Sequence, residues 1–141
     1  MPIRRELRWL YPIDWSQLSR AIRFGRARGR CEHCRRPHGT QIACLPDGRW
    51  LDPAGTGWRD KAGRPVRTPR PVELGRLRHT RVVLATAHLD HDPCNNTPRN
   101  LRSLCQRCHM LHDRPHHLAQ RRLTYRRRWA LGDLFTGPYR F

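Results

Sequence analysis

Apolar positions recur at helical spacing early in the chain, where Trp15, Leu18 and Ile22 stand three and four residues apart. Asp14 followed by Gln17 has the form of a capping box, so a helix is predicted from about Trp15 to about Arg28, weakening at Gly25 and Gly29. It runs straight into Cys31-Glu32-His33-Cys34. From Ile42 to Pro71 no period survives, and Pro46-Asp47-Gly48 and Ala62-Gly63 punctuate short apolar runs, which predicts an irregular excursion with one short hairpin. The β-branched run Arg81–Ala87 predicts a strand that delivers His88-Leu89-Asp90-His91-Asp92 to a turn, with Pro93 and Pro98 ending it. Leu101–Leu104 reads as a short returning strand and Cys105–Asp113 as the start of a helix. Pro115 allows a break, and 116–129 reads as a basic helix packed on one face through Leu118, Leu123 and Tyr125. The expectation is an α+β fold without internal repeats, in a single domain spanning 1–141.

Composition sharpens this picture. Only 37% of the 141 residues are hydrophobic, a modest core for a chain of this length, so staples beyond apolar burial are expected. The 29 Lys and Arg residues, all Arg except Lys61, stand against 11 Asp and Glu, for a formal charge of +18. Arginine forks pair bidentately with phosphate, so a polyanion is the expected partner, with duplex DNA engaged through the arginine-dense stretches Arg20–Arg36 and Arg121–Arg128. Trp50 and Trp58 either form a satellite core of the excursion or stack on nucleic-acid bases. No stretch reaches the ~20 apolar residues of a membrane helix, and the N-terminal residues lack the apolar run of a signal peptide. A reducing, cytoplasmic setting without a membrane partner is therefore expected.

In that setting the cysteine spacing favours metal over disulfides. Cys31, Cys34, Cys105 and Cys108 form two Cys-x-x-Cys pairs, the set and spacing of a closed, tetrahedral structural zinc site, whereas Cys44 and Cys94 stand outside as ordinary thiols. A second constellation combines His88, Asp90 and His91 with Asn100, His109, His112 and Asp113. Adjacent residues at a strand end point to different sides, one able to face an ion and the other a water.

The string AHLDHDPCNNTPRNLRSLCQRCHMLHD, with its Asp-His pair, central Asn-Leu and Cys-x-x-Cys-His ending, resembles the HNH endonuclease family, with Cys31 and Cys34 as the upstream half of its zinc clamp. The resemblance covers about 31–113, takes 42–78 as an insertion, and leaves 114–141 as a basic C-terminal extension. It implies a ββα-metal, treble-clef-like core flanked by basic helices. It further implies Asp90 as first metal ligand, His91 as general base, Asn100 as the residue that holds the loop, and His109 as the helical ligand. Asp113 at i+4, ahead of His112 at i+3, is the expected third ligand, because it lies one turn beyond His109. His88 is a ligand, a phosphate contact or a buried histidine. The implied cofactors are a structural zinc ion and a catalytic divalent cation, magnesium or manganese first, with nickel and zinc admitted by the nitrogen ligand. The implied reaction is hydrolysis of DNA phosphodiesters with low sequence preference. The alternatives are a zinc-stabilised nucleic-acid-binding module without catalysis and an RNA-directed nuclease.

Overall fold

The computed structural model describes residues 5–55 and 57–129, and the chain divides into two compact units, one reaching to His109 and the other beginning at Met110. In the first unit the helix expected over 15–28 forms in two windings. A regular turn, α1 (Trp15–Arg20), passes without a gap into a π-wound segment, Ala21–Arg26, which closes where the Ala27 N–H donates to the Ile22 carbonyl at 3.0 Å. The capping box does not form. Asp14 sits at φ −93°, ψ 16° rather than in the extended conformation that aims a cap side chain at the first turn, and only its backbone carbonyl serves, accepting from Gln17 and Leu18.

The expected irregular excursion is an ordered sheet. Strands β1 (Gln41–Cys44), β2 (Trp50–Asp52), β3 (Gly57–Arg59) and β4 (Arg78–Arg81) pair antiparallel in the order β3-β2-β1-β4, with a short helix α2 (Pro71–Leu74) before β4. Strands of three and four residues are too short to display alternation, which is why the pattern conceals them. Trp50 is fully buried and Trp58 is 8% exposed, so both rings belong to the interior and neither is open to bases. Buried Asp52 holds Arg59 at 2.8 Å and also accepts the Ala54 N–H, so the buried carboxylate is both paired and hydrogen-bonded. The sheet is packed onto the first cysteine turn. A Cβ at Gly63, whose φ is +83°, would stand 2.8 Å from the Cys34 carbonyl oxygen, so only glycine fits there.

A second, two-stranded sheet carries the polar cluster. Strands β5 (Leu84–His88) and β6 (Leu101–Cys105) pair antiparallel from Leu84↔Cys105 to His88↔Leu101, and β6 leads directly into helix α3 (Gln106–Trp129). The strand expected over 81–87 thus divides, because Val82 N–H turns aside to the Thr40 carbonyl and Val83 N–H to the Gln106 side chain. Cys31, Cys34, Cys105 and Cys108 form one core cluster with Ile42, Trp50, Val82, Leu84, Ala87 and Leu104.

His38 links the two sheets' neighbourhoods by a single bond, its Nδ1 accepting the Leu84 N–H at 3.0 Å, with Phe24 edge-on to its ring. That bond requires an unprotonated nitrogen. Desolvation first, then the charges of Arg23 and Arg81, hold the His38 pKa below the ordinary histidine value. Below about pH 6.5 the unfolded chain therefore binds a proton that the folded chain refuses, so this stabilisation is complete at neutral pH and lost as pH falls through the ordinary histidine range. Thermal melts between pH 7.5 and 5.5 should fall more steeply for wild type than for His38→Gln; parallel curves would rule the linkage out.

In the second unit α3 continues through Pro115 without the break that proline allows. Leucine, alanine, glutamine and arginine, all strong helix formers, dominate the stretch that follows and offset the lost backbone bond. Every residue from 117 to 128 is exposed, so the packed face expected for 116–129 is missing among the described residues.

Candidate functional site

The four cysteines meet from two directions. Cys31 and Cys34 lie in a tight turn in which Arg35 N–H donates to the Cys31 carbonyl and Cys31 N–H to the Arg36 carbonyl, while Cys105 ends β6 and Cys108 lies in the first turn of α3. All four sulfurs are buried and within 4.8 Å of one another, Cys34 and Cys105 being 3.6 Å apart, and none is in a disulfide. A tetrahedral ion with zinc–sulfur bonds of about 2.3 Å would place its sulfurs roughly 3.8 Å apart, so the donor set and spacing fit. Proton sharing within the cluster is strongly uneven. Hydrogen bonds, from Cys105 first and Cys108 next, pull the Cys31 pKa far down, whereas the bond with Cys105 is the largest influence pushing Cys34 and Cys108 up. The cluster can hold a metal ion such as zinc.

The loop from 89 to 100 joins β5 to β6 and is closed at its base by Leu89 N–H donating to the Asn100 carbonyl at 2.8 Å. Asp90 and Asn100 face each other across it. The Asp90 N–H donates to Asn100 Oδ1 at 3.1 Å, and Asn100 Nδ2 donates to Asp90 Oδ1 at 2.8 Å and to the Asn95 carbonyl at 2.7 Å. Asp90 Oδ1 also accepts the Asp92 N–H at 2.9 Å, and Oδ2 accepts from Asn95 Nδ2 at 2.7 Å. The Asp92 backbone bond first, then the Asn100 side chain, lower the Asp90 pKa to about 2, so the carboxylate is ionised throughout the physiological range. With two donors on Oδ1 and one on Oδ2, the remaining lone pair for a ligand is on Oδ2.

His91, half-buried, follows with φ +62°, a left-handed conformation that costs a non-glycine residue about 1–3 kcal/mol, and its N–H donates to the His88 carbonyl at 3.2 Å. His88 itself is a buried histidine: its ring stacks on Trp15 at 5.0 Å, meets Tyr11 edge-on at 5.8 Å, and its Nε2 lies 3.0 Å from Asn96 Oδ1. His109 is half-buried in α3, one residue beyond Cys108, so the turn that presents a cluster cysteine also sets His109. His112 and Asp113 lie farther along α3, in the second unit. Of the remaining thiols, Cys44 is half-buried against the core and Cys94 is exposed, its Sγ 3.8 Å from the Leu10 carbonyl.

Several residues that shape this region carry little sequence signal. Arg26 forms a two-pronged pair with Glu32 and donates to the Pro98 and Leu101 carbonyls, while Glu32 accepts the Ser103 N–H, so one ion pair ties the cysteine turn to the loop and to β6. Arg23 is bonded to the Ser19 and Leu84 carbonyls, and buried Arg36 to the Gly48 carbonyl with its guanidinium 5.9 Å from the Trp50 ring centroid. Part of the basic stretch 20–36 is thus structural: Arg26 is exposed but held by Glu32, while Arg20, Arg28 and Arg35 are exposed as well. Asn95 and Asn96 were legible in principle, since side-chain amides beside Asp92 and Pro93 favour loop-closing bonds. No family model, curated protein or solved structure matches this chain. Among the described residues no helix is long and apolar enough to cross a membrane.

Proposed function

We propose that the chain is a metal-dependent endonuclease of the HNH type that hydrolyses DNA phosphodiesters. The observation that carries this reading is the reciprocal clasp of Asp90 and Asn100 immediately before His91. It keeps the carboxylate ionised and holds the turn in which His91 adopts a strained conformation.

Asp90 through Oδ2 and His109 would hold the divalent cation, oxygen and nitrogen donors together suiting magnesium, manganese or a softer ion. Bound there, the cation would supply charge stabilisation at the phosphate and the departing oxygen. His91 removes the proton of the attacking water, a task suited to an imidazole. Asn100 fixes the backbone of the Asp90–His91 turn and so the direction from which His91 works. Cys31, Cys34, Cys105 and Cys108 hold the zinc that joins β6 and α3 to the first cysteine turn. Exposed arginines position the duplex through its phosphates, with little reading of bases. In-line attack of water on phosphorus, with the P–O3′ bond breaking and the departing 3′ oxygen taking a proton from solvent, leaves 5′-phosphate and 3′-hydroxyl ends.

Supercoiled plasmid incubated with the zinc-loaded protein should convert to open circles only when magnesium or manganese is supplied. Intact supercoils with each ion, alongside undiminished DNA binding, would replace this reading with that of a binding module. Cleavage confined to a parallel RNA substrate would replace DNA by RNA.

A further inference from the structure

After Pro115, α3 carries an arrangement that the cleavage site does not use. Leu118 and Tyr125 are 44% and 64% exposed and seven residues apart, so they fall on nearly one line along the helix. At 3.6 residues per turn, Arg121 lies about 60° to one side of Leu118 and Arg122 about 40° to the other. Arg128 repeats the first position at seven residues and Arg126 the second at four, so an apolar seam runs between two rows of arginine. From 114 to 128 there is no Asp or Glu, and every residue from 117 to 128 is exposed. A helix so charged has no acidic neighbour of its own at i±3 or i±4 over this stretch to balance it.

We infer that this part of α3 docks lengthwise in the major groove of duplex DNA. The inference rests on the reading of the chain as a DNA-acting protein and adds the surface that grips the duplex. The major groove, about 12 Å wide, admits an α-helix with its side chains, and phosphates flank it on both walls. The Arg121/Arg128 row meets one wall and the Arg122/Arg126 row the other, each fork facing phosphate oxygens. Leu118 and Tyr125 lie against the groove floor, where thymine methyls offer apolar contact. An anionic membrane is the other polyanionic surface, but helices that lie on membranes bury a broad apolar face, and here the seam is one residue wide between charged rows.

The test uses the full zinc-loaded chain without added magnesium and a fluorescent 20-base-pair duplex, read by anisotropy across salt concentrations. Combining Arg121→Gln, Arg122→Gln, Arg126→Gln and Arg128→Gln should weaken binding roughly a hundredfold at moderate salt and reduce the salt slope by about 3 to 4, about 0.9 per phosphate lost. The four corresponding lysine substitutions should preserve most of that slope. Circular dichroism and zinc content establish that each variant remains folded. A duplex whose major groove is filled by glucosylated cytosines should bind wild type as weakly as the glutamine variant binds ordinary duplex, whereas a minor-groove ligand should not compete. Unchanged affinity in the glutamine variant, or indifference to the filled groove, overturns the inference. So does arginine-dependent binding to phosphatidylserine vesicles with duplex binding unaffected. Nicking is scored separately: a chain that binds as expected but never nicks refutes the nuclease, and a glutamine variant that nicks with unchanged KM refutes the docking helix.

Discussion

Stripping the zinc proposed for the Cys31–Cys34–Cys105–Cys108 cluster should unfold the first unit outright rather than soften it. The four sulfurs are central to the core: the cluster that contains them also contains Ile42, Trp50, Val82, Leu84, Ala87 and Leu104. Without an ion, four thiols that cannot all ionise at such close range occupy that centre. Structural zinc sites contribute about 10–16 kcal/mol of apparent binding free energy at pH 7, against about 5–15 kcal/mol for the whole stability of a typical domain. The sparse apolar content leaves little to replace it. Chelation, or Cys108→Ser, should abolish cooperative melting and shift the emission of the buried Trp50 and Trp58 towards that of exposed indole. Elemental analysis of the native protein should give one zinc per chain from this cluster. A chelated protein that keeps its tryptophan emission and a sharp transition would show that apolar packing alone sustains the fold.

On the proposed reading, His91→Ala should lower plasmid cleavage by about 10²–10⁴-fold, the usual contribution of a positioned general base, while leaving duplex affinity unchanged, because that reading assigns affinity to phosphate contacts elsewhere. Two separable effects meet at this residue. In the proposed mechanism the imidazole is the proton acceptor, and the left-handed backbone at φ +62° is the strain that its placement costs. His91→Gly should therefore be as inactive as His91→Ala yet melt at a higher temperature than it, since glycine adopts that conformation freely. Full cleavage by either variant would remove His91 from the chemistry. Asn100→Ala provides the complementary case: it takes two donors and one acceptor from the loop, including the bond on Asp90 Oδ1, so the loop should lose order and cleavage together while the cysteine cluster retains its metal.

Features that depend on short spacing are legible in the sequence itself. Two Cys-x-x-Cys turns announce a metal cluster because each pair is fixed by one local turn, and the structure brings all four sulfurs together. A β-branched run before His88 announces a strand, and β5 with its partner β6 follows, displaced by the detour at Val82 and Val83. The clasp between Asp90 and Asn100 lies within one loop; the resemblance implied that Asn100 holds this loop, but not that it does so through Asp90.

Other features were decided only when distant segments met. The sheet built by 41–81 is invisible as periodicity because its strands are three or four residues long and gain stability from each other and from the cysteine turn beneath Gly63. The same meeting settled the roles of side chains whose types alone are ambiguous. Trp50 and Trp58 became core, His88 was stacked on Trp15, Arg36 was buried, and Arg26, still exposed, was tied to Glu32. Composition and local spacing therefore determined the cysteine cluster, the charge and the order of strand, loop and helix. Which polar side chains are spent on the fold, and which remain exposed, was decided by tertiary structure, because a hydrogen bond or ion pair between residues far apart in sequence exists only after the chain has closed.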